Sequence, residues 1–104
     1  MQLVILFSVL AAHAADVAKG EAVYQANCSA CHGQAADGKG PAGPALNPGP
    51  SDFTAADWWQ GKDDVSIKAS IKNGSPGTAM MPFAHLADED VANIIAFLRS
   101  KQPK

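Results

Sequence analysis

Strand signals are missing from this chain: nowhere do apolar and polar residues alternate over a strand's length, and no segment repeats, so neither a sheet nor a repeat array is expected. A basic stripe is missing too. Eight Lys and Arg against ten Asp and Glu leave a formal net charge of −2, with no cluster to track phosphates and no block of like charge. That argues against nucleic acid as a partner and against a charged disordered tail. The chain also offers no nucleophile–base pair and no acid–base dyad, so nothing in it favours an enzyme or a small-molecule substrate. At 104 residues it has room for one domain.

Cysteine and methionine are scarce and clustered. Cys28 and Cys31 are the two cysteines, and apart from Met1 the methionines are the adjacent pair Met80 and Met81. Residues 1–14, MQLVILFSVLAAHA, carry no charge, run apolar from Leu3 to Ala12 and close in the small-x-small pattern Ala12-His13-Ala14. This reads as a secretory signal peptide cut after Ala14 or, if retained, as an anchor, although the apolar run is short for a bilayer span. Export, periplasmic or otherwise, places residues 15–104 in an oxidising compartment where two cysteines need a role.

Three helices are expected. From Asp16 to Cys31 the sequence predicts one helix, with Asp16 as N-cap and Gly20, Tyr24 and Cys28 spaced four apart on one face. Asp63–Asn73 reads as a shorter helix stopped at Asn73-Gly74. Asp88–Lys101 carries Val91, Ile94, Ile95 and Leu98 at helical spacing, with acids in its first turn and cations in its last. Residues 33–55, with five glycines and four prolines, read as a long loop containing a short helical turn. Helices this modest bury too little apolar surface to offset the entropy of ordering such loops, so something other than side chains is expected in the middle.

Cys28-Ser29-Ala30-Cys31-His32 points to what that is. Two cysteines two residues apart, with histidine directly after, form the attachment motif for c-type haem. Helical i, i+3 spacing presents both sulfurs along one edge of a porphyrin for addition to its vinyl groups, and the adjacent imidazole reaches the iron from one side. Rival readings fit less well. A structural disulfide needs no neighbouring histidine, a thioredoxin-like site wants a βαβ context, and a zinc site needs two further ligands where His13 and His85 are the histidines left.

With these residues in place, the chain resembles the class I cytochrome c family over essentially all of residues 15–104. The resemblance implies an all-α fold of three to five helices wrapped around one covalently bound haem c, with the N- and C-terminal helices crossed. Gly20 and Tyr24 are similar to the glycine and aromatic of the family's first helix, and Phe97 to the aromatic of its last. Gly43-Pro44-Ala45-Leu46 resembles the family's glycine-proline-x-leucine element, beginning eleven residues after His32. That likeness implies that the Pro44 carbonyl accepts from Nδ1 of His32, with Pro41 a rival acceptor. Leu46, Trp59 and Phe83 are candidate haem-pocket residues. The indole N–H of Trp58 or Trp59 is a candidate donor to a haem propionate, against a plain core role.

GPALNPGPSDFTAADWW and GSPGTAMMPF are further similar to segments of small bacterial cytochromes and of haem domains of respiratory oxidoreductases, in which a GTAMPPF-like loop follows. Aligned without a gap on the last helix, Met80 takes the place of that loop's methionine, whereas Met81 has the proline that commonly follows such a ligand. Met80 is the expected second axial ligand of the iron and Met81 the alternative. His85 reads as a surface histidine. Lys62, Lys68 and Lys72 read as a solvated helix face, with steering of an acidic partner the alternative. Taken together, the resemblance implies a monomeric one-electron carrier with His/Met ligation that serves membrane or periplasmic oxidoreductases of a respiratory chain. The alternatives are a catalytic or ligand-sensing haem domain in which the methionine dissociates, and a haem-free thiol protein.

Overall fold

A computed structural model describes residues 15–104, so the reading of residues 1–14 as a signal peptide lies outside the described residues. Asp16 caps the first helix, α1 (Val17–Asn27), its carboxylate accepting from the Lys19 amide at 3.0 Å. The single helix expected through Cys31 breaks after Asn27, and α2 (Ser29–His32) follows as a separate turn. Side chains account for the break. The Ser29 hydroxyl donates to the Gln25 carbonyl at 2.7 Å, taking the acceptor its own amide would use in a continuous helix, and the Asn27 amide group donates to the Val23 carbonyl at 2.8 Å.

The other helices fall where their sequence signals lie. α3 (Asp64–Asn73) opens on a capping box between Asp63 and Ser66 and stops at Gly74, whose φ of 79° lies in the left-handed region. α4 (Asp88–Arg99) begins after Ala87, which has no side chain to cap with. Asp88, Glu89 and Asp90 in its first turn and Arg99 in its last complement the helix dipole instead. Two short 3-10 turns, Gly43–Ala45 and Ala56–Trp59, punctuate the long connections, and the described residues contain no strand. The all-α expectation is met.

α1 and α4 form the largest interface between elements. α4 brings a full apolar stripe, burying Val91, Ile94, Ile95, Phe97 and Leu98, each side chain worth about 1.5–3 kcal/mol on burial. α1 buries only Gly20 and Tyr24 and therefore depends on close fit more than on area. At Gly20 the helices touch backbone to backbone: a Cβ placed there would run into the carbonyl group of Asn93. One turn on, the Tyr24 and Phe97 rings pack with centroids 4.9 Å apart. The buried Asn93 side chain accepts from the Asp16 amide at 2.8 Å and fixes the entry to α1. Gly20→Leu should therefore destabilise the haem-loaded protein by more than about 2 kcal/mol in urea unfolding. A loss of half that or less would show that the crossing does not depend on this contact.

Candidate haem site

The Cys28–His32 segment is held from both ends. α2 is a single turn, so its carbonyls lack helical partners, and the following loop supplies them. The Gly33 amide donates to Ser29 at 2.9 Å, Gly38 to His32 at 2.7 Å, Gly40 to Cys31 at 3.1 Å and Ala42 to Ala30 at 2.9 Å. Gly40 lies so close that a Cβ there would collide with the Ala30 and Ser29 carbonyl oxygens. From α1, the buried Tyr24 hydroxyl donates to the Gly33 carbonyl at 2.6 Å. Burial and the nearby Cys28 thiol hold that phenol well above the usual tyrosine range, so it stays a donor at any ordinary pH.

Cys28, Cys31 and His32 open onto a cavity of about 290 Å³, whose walls include Leu46, Phe83, Ile94 and Leu98 and both Met80 and Met81. A second cavity of about 270 Å³ adjoins it, sharing His32, Phe53, Ile71, Ser75, Met80 and Leu98 and reaching Trp58 and Lys62. His32 and Met80 thus line both, from segments almost fifty positions apart. Mostly apolar walls with a few polar groups suit a cofactor. The loop that carries Met80 is tied to α3, the Phe83 amide donating to Ile71 at 2.8 Å and the Lys72 ammonium to the Leu86 carbonyl at 2.7 Å.

The titrating groups favour neutral forms. Burial, then the neighbouring Cys31 thiol, pushes the Cys28 thiol up to about 11. Redox and nucleophilic cysteines are shifted the other way, toward the thiolate, so this environment disfavours a reactive thiol and suits a neutral thioether sulfur. Burial lowers the His32 pKa, opposed by a hydrogen bond to backbone. The ring's Nδ1 stands 3.2 Å from the Ser51 carbonyl. A carbonyl can only accept, so Nδ1 carries the hydrogen, and in the neutral ring Nε2 keeps its lone pair for a metal.

Ser51 stands where Pro44 was expected. The Gly43–Ala45 turn follows directly on the Gly40 and Ala42 amides that cap α2, and Pro44 is exposed and outside the cavity walls; the chain passes the imidazole only after Pro50. Pro41 is not the acceptor either. Trp59 is a second correction: its indole donates to the Phe53 carbonyl at 2.9 Å within the core, its ring packs under Arg99, and it lines neither cavity. Its neighbour Trp58 does, with the Lys62 ammonium 4.6 Å from its ring centre. Leu46 and Phe83 line the larger cavity. His85 is exposed and lines neither. Lys68 and Lys72 pair with Asp88 at 3.6 and 3.3 Å, which leaves Lys62 as the lysine at the cavity rim. Sequence reasoning missed Phe53, whose ring stacks on His32 with centroids 4.8 Å apart, although it lies in the stretch GPALNPGPSDFTAADWW that carries the resemblance.

Crossed terminal helices, a clamped CxxCH turn and a facing methionine loop define a c-type cytochrome domain. Residues 15–98 match the model for cytochrome C oxidase, cbb3-type, subunit III, and the chain belongs to that family. Among curated proteins, the Cbb3-type cytochrome c oxidase subunit CcoP of Azospirillum sp. (strain B510) is 32% identical over 90 residues, covering 86% of this chain and 30% of its own length. CcoP of Azospirillum brasilense is 29% identical, covering 84% and 29%. The chain therefore spans about three tenths of the curated relatives it matches. Among solved structures, a chain of the Kuenenia stuttgartiensis reducing HAO-like protein complex Kustc0457/Kustc0458 superposes with a TM-score of 0.73 at 26% identity, over 84% of this chain and 43% of that one. The KustC0563 c-type cytochrome gives 0.65 at 27%, over 81% and 98%.

Membership assigns the domain one covalently bound haem c and electron transfer through it. The donor set fits that group: the Cys28 thiol, held in the neutral form by burial, the Cys31 thiol and an imidazole with a free Nε2 share one apolar-walled cavity with a thioether. Because the clamp on α2 needs a bare backbone at Gly40, Gly40→Ala should destabilise the loaded protein by about 1–3 kcal/mol in denaturant unfolding. An unchanged midpoint would mean the loop does not brace the turn.

Proposed function

We propose that the domain is a one-electron carrier in which Cys28 and Cys31 hold haem c through thioethers, and His32 and Met80 are the axial ligands of its iron. The observation that carries this reading is that His32 and Met80 line the same two cavities, while Met81 has its side chain turned largely outward, 64% exposed. When bound, the haem supplies an Fe(III)/Fe(II) couple. His32, braced by Ser51 and stacked on Phe53, keeps one orientation through both oxidation states. The Met80 thioether is a soft donor that favours Fe(II), and the apolar walls disfavour the additional charge of Fe(III); both raise the potential. A haem held by both His32 and Met80 would leave no position on its iron for substrate, which favours a carrier over an enzyme.

Its partners, on this reading, are oxidoreductase proteins at an exported face of a membrane. The CcoP relatives are by name oxidase subunits, and the leader-like residues 1–14 favour export, with cleavage after Ala14 or retention as an anchor. No described helix is long and apolar enough to cross a membrane.

Two measurements test the assignment. Mass spectrometry in acid should find one haem retained on the chain, and Cys28→Ala with Cys31→Ala should abolish that retention; a freely extracted haem would refute covalent attachment. The weak far-red band that reports sulfur on ferric iron should vanish in Met80→Leu, with a sharp fall in potential, and persist in Met81→Leu. The reverse pattern would make Met81 the ligand, and carbon monoxide binding to the reduced parent protein would favour the sensing alternative.

A further inference from the structure

The loop after α3 contains a closed ring of hydrogen bonds that haem attachment does not require. The Ser75 carbonyl accepts from the Thr78 amide at 3.1 Å and from the Thr78 hydroxyl at 2.7 Å; that hydroxyl accepts from the Met80 amide at 3.2 Å. The ring closes on sulfur. The Ser75 hydroxyl donates to Sδ of Met80 at 3.7 Å, a length suited to the large sulfur atom. Gly74 gives the ring its compactness, since a Cβ there would press on the Met80 carbonyl oxygen. Ser75 lines both cavities beside Met80, and among the described residues the Met81 sulfur receives no such donor.

A thioether sulfur is a weak acceptor, so a donor aimed at it has a chemical consequence beyond packing. It has two lone pairs, one for a metal and one for Ser75. A hydrogen bond on the second orients the first and draws electron density from it. Ferric iron depends on that density more than ferrous iron does, so the donor favours Fe(II). We propose that Ser75 is a positioning residue for the axial ligand, its hydroxyl aiming the Met80 sulfur and raising the reduction potential of the haem. This rests on Met80 being the ligand.

The test is optical redox titration of haem-loaded Ser75→Ala and Ser75→Thr, with the far-red band recorded on each. Ser75→Ala should keep the band and lose up to about tenfold in preference for Fe(II), the scale of one ordinary hydrogen bond, which for one electron is a downward shift of up to about 59 mV. Ser75→Thr, which keeps the hydroxyl, should restore the parent potential. An unchanged potential in Ser75→Ala overturns the inference, as does a shift that Ser75→Thr fails to reverse. Loss of the band in Ser75→Ala also overturns it, because the hydroxyl would then hold the loop and not tune the ligand. Met80→Leu separates the two claims. If it leaves the band, the ligand assignment fails and the inference with it; if it erases the band while Ser75→Ala is silent, only the inference fails.

Discussion

The hydrogen-bonded clamp on the Cys28–His32 turn is the constraint on which the rest of the domain depends. A four-residue helix has no stability of its own, because almost every peptide group in it lacks an internal partner. Here the Gly33, Gly38, Gly40 and Ala42 amides satisfy its carbonyls, and Tyr24 anchors the next residue along. That explains how a loop rich in glycine and proline becomes ordered: its polar groups are partners of the turn it follows. It also explains the crossing of the terminal helices. Tyr24 can reach Gly33 only where α4 fixes α1, through the backbone contact at Gly20 and the ring of Phe97.

What could be read from the sequence was what local pattern determines. The apolar stripe of α4, the stop of α3 at Gly74 and the pairing of Gly20 and Tyr24 with Phe97 each depend on residue type at short spacing, and each lies where expected. What escaped depends on the path of the loop or on a choice between neighbours. Ser51 takes the place of Pro44 beside His32 because the chain runs from the Gly40 and Ala42 amides that brace α2 and reaches the imidazole only after Pro50, a fact of three-dimensional routing that no spacing encodes. Trp58 and Trp59 differ by one position, and the one whose indole meets the Phe53 carbonyl leaves the cavity to the other. The break after Asn27 turns on the Ser29 hydroxyl taking the Gln25 carbonyl, a side-chain competition invisible to helical periodicity.

A physical division of labour follows. The helices supply a small core around Val91, Ile94 and Tyr24, while the segments that carry His32 and Met80 face a cavity whose walls are largely apolar. Apolar walls of this kind gain their free energy when covered by an equally apolar partner, and a haem bonded to Cys28 and Cys31 would cover them without sacrificing chain entropy a second time. The same burial that stabilises the fold would raise the potential by disfavouring the ferric charge, so stability and function draw on one set of contacts.

The measurement that tests this most directly is equilibrium urea unfolding of the haem-loaded chain beside the same chain made without haem attachment, followed by far-ultraviolet circular dichroism. The account predicts a cooperative transition for the loaded chain and a broad, non-cooperative loss of helix for the haem-free chain. A haem-free chain that unfolds cooperatively at a comparable midpoint would show that side chains alone complete the core, and would contradict it.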